Sequence, residues 1–174
     1  MNIDKITDDG RLWAVRYPDQ ECDELTRLFD EWSEPVTLHA FFKANWDDMA
    51  YFNMTSITEA IDKTIDERNV LEKMVLDINP DADLDTLFRN LSNYSHELCL
   101  EKSKGKINKS WLRLYAIKLA SGIYIITGGA IKLTATMEER EHTSNELVKI
   151  EKVRNFLLKN GIVDEDGFFE YINE

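Results

Sequence analysis

The sequence predicts an α+β protein, and three observations carry that prediction. Apolar residues recur at helical spacing between residues 23 and 91 and again after 137. Between 111 and 136 the period changes to two, the signature of strands. Helix start and stop signals, among them Pro35, Ser56 with Glu59, Pro80, Thr136 with Glu139 and Gly161, divide the helical stretches into separate helices. The expected architecture is an antiparallel sheet of about four strands, a long C-terminal helix, and a helical block inserted at about 23–101, all within one domain of residues 1–174.

The chain opens as a strand pair. Ile3 to Thr7 and Arg11 to Tyr17 flank the turn residues Asp8-Asp9-Gly10, and Pro18 closes the second run because it cannot donate to a ladder. Leu25, Leu28, Phe29 and Trp32 then mark a helix over 23–32. Pro35 suits the first turn of a second helix carrying Leu38, Phe41 and Phe42. Ser56 and Glu59 form a capping box for a helix over 57–78, striped by Ile57, Ile61, Ile65, Leu71, Met74, Val75 and Ile78 and stopped by Pro80. Leu84, Leu87, Phe88 and Leu91 predict a further short helix.

Lys102 to Lys109 reads as an exposed basic loop around Gly105. Three consecutive antiparallel strands are expected next. The first covers 111–119, and the second covers 123–127, apolar on both faces and therefore central, with Ile125 buried. Gly128-Gly129 marks a bulge or bend, and 130–136 is the third strand. Thr136 with Glu139 predicts a helix start near 137. Leu147, Ile150, Val153 and Leu157 are its buried stripe, Gly161 its stop, and 167–172 a last helical turn.

Composition narrows the function classes. In 174 residues, 43% are hydrophobic and 31% charged, the balance of a soluble globular domain. No apolar run reaches the ~18 residues of a membrane helix, and the N-terminus has no signal-peptide pattern. Two cysteines, Cys22 and Cys99, make no disulfide framework. A cytoplasmic protein with reduced thiols is the expectation. The 33 acidic residues against 21 basic ones give a net charge of −12, which repels nucleic acid at long range unless the charge is unevenly placed. It is uneven. No Asp or Glu occurs from Lys102 to Met137, while Lys102, Lys104, Lys106, Lys109, Arg113, Lys118 and Lys132 all lie there. Such a block predicts a basic patch on an acidic body.

Strand alternation places part of that block. Arg113 and Tyr115 share one parity of their strand, and Lys132, Thr134 and Thr136 share the polar parity of theirs. With both parities on one side, the five side chains converge on an open sheet face. Two cations beside an aromatic hydroxyl match what phosphodiester chemistry requires: charge for the phosphate and a partner for stacking or proton transfer. Lys104, Lys106, Lys109, Thr134 and Thr136 are the expected nucleic-acid contacts. His39, His96 and His142 show no metal-binding spacing, neither cysteine has a nucleophile signature, and the acidic runs lack calcium-ligand spacing. No metal and no cofactor are expected.

The segment 112–157 resembles the RelE/ParE superfamily of bacterial toxins, in its HigB-like, phage-derived branch. The likeness rests on Leu112-Arg113-Leu114-Tyr115-Ala116-Ile117-Lys118, then Ile123-Tyr124-Ile125-Ile126, then Gly129-Ala130-Ile131-Lys132-Leu133-Thr134, followed by a charged helix. Leu133 and Thr136 stand where that branch has lysines, and Glu138 where it has a proline. The resemblance implies a type II toxin-antitoxin component: a ribosome-dependent endoribonuclease of messenger RNA, with activity intact or lapsed. It implies RNA or the ribosome as a target and a cognate antitoxin, a helix-turn-helix protein, as a partner. By position Arg113 and Lys132 would hold phosphate and Tyr115 would stack or move a proton. The alternative is a non-catalytic protein-interaction module or phage-derived accessory protein on the same fold.

Overall fold

In a computed structural model, which describes residues 1–77, 81, 83–91, 98–103, 110–119 and 122–173, the first two expected strands pair across their turn. Strand β1 (Asn2–Lys5) is antiparallel to β2 (Leu12–Arg16), with Ile3 opposite Val15. Gly10 takes φ 73°, a conformation open to glycine at little cost, and its N–H donates to Thr7 O at 3.0 Å.

The helical block follows. Helix α1 (Glu24–Glu31) is capped by Asp23, whose carboxylate accepts from the N–H groups of Leu25 and Thr26. Helix α2 (Pro35–Ala44) opens on Pro35 as expected. A 3-10 stretch, Trp46–Phe52, then leads to α3 (Ile57–Leu76). Ser56 caps α3 by accepting from Glu59 N–H at 3.1 Å. The reciprocal bond goes one residue upstream, from Thr55 N–H to Glu59 Oε2 at 2.8 Å. Ile78 and Pro80 lie outside the described residues.

The short helix expected over 84–91 is one 3-10 turn, Leu84–Thr86, followed by strand β3 (Phe88–Asn90). It pairs with β4 (Leu98–Ser103), which the reading of a loop beginning at Lys102 had not included. Strands β5 (Leu112–Leu119) and β6 (Tyr124–Ile131) form the expected hairpin. The bulge falls one residue before the glycine pair: Tyr115 faces Gly128 and Ala116 faces Ile126, so Thr127 is the extra residue. Its hydroxyl donates to Tyr115 O at 3.3 Å.

The sheet therefore has six strands in the order β1-β2-β6-β5-β4-β3. It is mixed and not wholly antiparallel, because β2 runs parallel to β6, with Leu12 beside Tyr124 and Ala14 beside Ile126. The third strand expected over 130–136 does not form. The ladder ends where Lys132 N–H donates to Trp111 O at 2.8 Å. Beyond it, local bonds replace strand pairing: Lys132 Nζ donates to the carbonyls of Thr134 and Ala135, both at 2.6 Å, and Thr134 Oγ1 donates to Thr136 O. Helix α4 (Glu141–Lys159) starts four residues later than expected. Glu139 accepts from Thr136 N–H at 2.7 Å within the turn before it. Helix α5 (Glu165–Asn173) ends the chain.

Both sheet faces are covered. Leu12, Ala14, Leu112, Leu114, Tyr124 and Ile126 pack with Leu28, Trp32, Phe42 and Ala60 of the helical block. Trp13, Val15, Tyr115, Ile117 and Ile125 pack with Ile150, Val153 and Leu157 of α4 and Phe168 of α5. Ile125 is central and fully buried, as the alternation predicts. The open polar face expected for Arg113 and Tyr115 is instead the face that α4 and α5 cover.

A candidate anion site of four cations

Four strands meet at the end of the sheet where β5 begins and β6 ends. Arg89 on β3 is directly opposite Lys102 on β4, and Lys102 is opposite Tyr115 on β5. Arg113 is two residues from Tyr115, on the same face, and opposite Ala130. Lys132 follows two residues after Ala130. Register alone thus sets Arg89, Lys102, Arg113 and Lys132 in a row across β3, β4, β5 and the exit of β6.

The four groups feel one another. The Lys102 ammonium is held below its usual range by partial burial and by Arg89 and Arg113. Lys132 is lowered by partial burial, then by Lys102, Arg113 and Arg89, with Glu139 pulling the other way. Arg113 is lowered chiefly by desolvation and also by Arg89; Tyr115 and Glu67 oppose this. Among the described residues, no carboxylate forms an ion pair with any of the four. Mutual repulsion of this kind disfavours the charged forms, and an anion placed among them relieves it.

Arg113 is anchored and half-buried, not free. Its guanidinium donates to Leu112 O at 2.7 Å and to Ser110 O at 3.1 Å. Nearby, Glu67 Oε2 of α3 accepts from Ser110 Oγ at 2.9 Å and from Trp111 N–H at 3.1 Å, pinning the entry to β5 from the other face. Lys132 is bent over its own loop by the two carbonyl bonds. Both anchors fix the direction of the cations in advance, which lowers the ordering cost of binding.

Tyr115 is a different case. Its ring is 1% exposed, and its hydroxyl is buried without a hydrogen-bond partner among the described residues. Burial is the main reason that its phenol is pushed up, far from titrating near neutrality. The ring lies beneath the row and not on the surface. Thr134 and Thr136 belong to the loop after β6, Thr134 half-buried and Thr136 exposed. Lys104, Lys106 and Lys109 lie outside the described residues. Lys118, on the opposite face from Arg113, pairs with Asp85 at 2.6 Å.

Sequence reasoning missed Arg89 as a member of the row and did not assign Lys102 to the site. Arg89 precedes the acid-free block, and its strand was read as helix. The signal for β4 was present in Leu98, Leu100 and Lys102, which alternate with Cys99 and Glu101. Among the described residues no cluster of three His, Cys, Asp or Glu is placed to hold a metal. Nor is any described helix long and apolar enough to cross a membrane. No protein-family model matches the chain, and no match is found among curated proteins or solved structures.

Proposed function

We propose that this chain is a RelE/HigB-like toxin component that holds RNA by its phosphate backbone on the row Arg89–Lys102–Arg113–Lys132. The observation that carries the reading is the row itself: four mutually repelling cations with no carboxylate paired to them among the described residues, on a chain of net charge −12. Support also comes from element order, with N-terminal strands, a helical block, late antiparallel strands and a charged C-terminal helix, the order that the family resemblance implies.

Cleavage on such a row follows from the chemistry of RNA. The ribose 2′-hydroxyl attacks the adjacent phosphorus, the O2′–P bond forms, and the P–O5′ bond breaks. The products are a 2′,3′-cyclic phosphate and a 5′-hydroxyl. The cations stabilise charge building on the phosphoryl oxygens, and removing one such group costs ~10²–10³-fold in rate. The attacking hydroxyl loses one proton, and the leaving oxygen gains one. Lys102 and Lys132, with ammonium groups held below their usual range, are suited to exchanging protons at those two oxygens.

A second reading has its own observation. With the Tyr115 phenol buried, the row binds without the acid-base partner that the resemblance implies. The chain is then an interaction module whose row accepts the carboxylates of a protein partner, an antitoxin among them. The test is binding of single-stranded RNA at about 50 and 200 mM salt. The toxin reading expects a salt slope that falls by ~0.7 for each cation replaced by alanine, and a cyclic phosphate at the cleaved end. Binding with no cleavage selects an RNA-holding chain whose activity has lapsed. No binding at the lower salt overturns the toxin reading and selects the interaction module.

A further inference from the structure

The other edge of β6 carries a site of opposite construction. Strand β2 pairs with β6 from Tyr124 to Ile126, and from Gly128 onward that edge of β6 has no strand beside it among the described residues. In an antiparallel ladder, alternate residues turn their peptide groups to opposite sides. Lys132 N–H donates to Trp111 O, which puts Arg113 and Ala130 in the bonded register and turns Gly129 and Ile131 to the free edge. Ile131 O there meets His142 Nε2 at 2.9 Å. A carbonyl can only accept, so Nε2 carries the proton and, in the neutral ring, Nδ1 is left as an acceptor.

A cavity of about 190 Å³ lies between this edge and α1, α2 and α4. Trp32 and Phe41 supply apolar wall, Gly129 lies at the strand edge, and Arg27, Glu31, Thr37, His142 and Glu146 are its polar members. The volume exceeds the ~150 Å³ of a cavity that admits a benzene ring. Gly129 is required at this place, since a Cβ would lie 2.7 Å from Arg113 O and 3.0 Å from the Trp32 ring.

The charges around the cavity are nearly all committed. Glu24, fully buried, accepts from Arg27 Nε at 2.8 Å and from Lys149 Nζ at 2.7 Å. Arg27 also pairs with Glu31. Lys149 reaches Glu146 Oε1 at 3.1 Å. The remaining oxygen, Glu146 Oε2, is buried and has no hydrogen-bond partner among the described residues. An acceptor left in this state is costly and calls for a donor.

We propose that this cavity binds one planar heterocycle of the nucleobase class, with a ring or exocyclic N–H donated to Glu146 Oε2 and its remaining polar edge met by the backbone at Gly129. The committed charges set the ligand's character. Glu24, Glu31 and Glu146 disfavour an anion, and Arg27 and Lys149 disfavour a further full cation. A neutral ring with N–H donors satisfies both, and its faces suit the walls formed by Trp32 and Phe41. The site stands apart from the cation row and does not depend on it.

The test is amide NMR on the full chain titrated with adenine, cytosine or guanosine, with toluene as an apolar ring of similar size. Saturable shifts at Gly129, Ala130 and Ile131 are expected from at least one base and not from toluene. Thr37, exposed at the cavity rim, gives a variant clear of the buried network: Thr37→Trp should abolish the shifts. Glu146→Gln should weaken binding at least tenfold. Bound base should also lower the Glu146 carboxyl from the value near 7 to which burial raises it, because a donated N–H favours the carboxylate. Around that carboxyl stand Tyr17 after β2, Glu24 and Arg27 of α1, Tyr115 of β5, and Lys149 and His142 of α4, all present in both states. RNA affinity separates the sources of the base: loss in Thr37→Trp assigns the cavity to a base of RNA, and no change assigns it to a free base. The proposal is overturned if no base gives saturable shifts up to about 10 mM, if toluene binds equally well, or if Thr37→Trp binds like the wild type.

Discussion

The two charged clusters beside β6 are built in opposite ways. On the β5 side, four cations stand together with no carboxylate paired to them among the described residues, and each lysine is lowered first by partial burial and then by its cationic neighbours. On the α1 side, Glu24 is fully buried yet held below the usual carboxylate range, because Arg27, Lys149 and Gln20 together outweigh its desolvation. Glu146, a short distance along the same network, is pushed up to about 7 by burial, since among the described residues Lys149 alone donates to it. The difference teaches that burial alone does not set ionisation here. What decides is how many donors the register and the helix faces bring to each group. Saturated Glu24 reads as structure, whereas under-supplied Glu146 and the under-paired cation row read as sites.

The largest effect expected is from Glu24→Ala. It leaves Arg27 and Lys149 without their shared carboxylate, and removing one partner of a buried ion pair costs about 3–5 kcal/mol. The cations are partly exposed, so the lower end applies. Urea unfolding measures it, and a loss below 1 kcal/mol would mean that the network is ornament to the fold.

Next is the pH dependence. Glu146 is raised from 4.5 to about 7 in the folded chain, so the folded state binds the extra proton in that interval. Its contribution is fully present below the unfolded value and is lost as pH rises through about 7, a span of about 3 kcal/mol at ~1.36 kcal/mol per unit. Glu24, lowered on folding, has the reverse sign and loses its contribution as pH falls through its folded value. Comparing wild type with Glu146→Gln between pH 5 and 7.5 isolates the first effect. Equal slopes in the two proteins would show that Glu146 is ionised normally.

Gly128→Ala comes third. A Cβ there would lie 2.0 Å from Glu146 Oε2 and 2.7 Å from Lys149 Nζ. Overpacking of this kind costs about 1–3 kcal/mol, less where a flexible side chain can move aside. The variant should also shift the Glu146 titration, read by carbon NMR of its carboxyl, because the carboxyl must leave its place over the strand. An unmoved titration would contradict that packing.

The cation row predicts a smaller gain. Inorganic phosphate at ten times its dissociation constant should stabilise the fold by about 1.4 kcal/mol, a rise of about 3–6 °C in Tm for a chain of this size. Arg89→Ala should reduce that rise, whereas alanine at Lys118, which pairs with Asp85 on the opposite face, should not. Equal responses in the two variants would dissolve the row as a unit.

Smallest of all should be Tyr115→Phe. It removes a buried hydroxyl with no partner among the described residues, so stability should stay within about 1 kcal/mol or improve. Any RNA cleavage should continue. A complete loss of cleavage at unchanged stability would return Tyr115 to the catalytic role that the family resemblance implies.

The sequence by itself determined the class of the fold and most of its local elements. Asp23, Pro35 and Ser56 sit at helix starts because caps and N1 prolines answer to bonds within one turn. The β1-β2 and β5-β6 hairpins follow from Gly10 and Gly122, both at positive φ, and from alternation on either side. The acid-free block was legible as charge, and Arg113 and Lys132 were legible within it. What only the tertiary structure decided is everything that depends on which strand lies beside which. The parallel pairing of β2 with β6 turned an expected antiparallel sheet into a mixed one. Helix α4 closed over the face that parity had left open, and so buried Tyr115. Arg89 and Lys102 joined Arg113 through the registers of β3 and β4, which no local pattern specifies. The same holds for Glu146, 122 residues from Glu24 in sequence yet sharing Lys149 with it. Local hydrogen bonding writes its signals within a few residues. Burial and electrostatic coupling depend on distance in space, and the sequence records that only once it is folded.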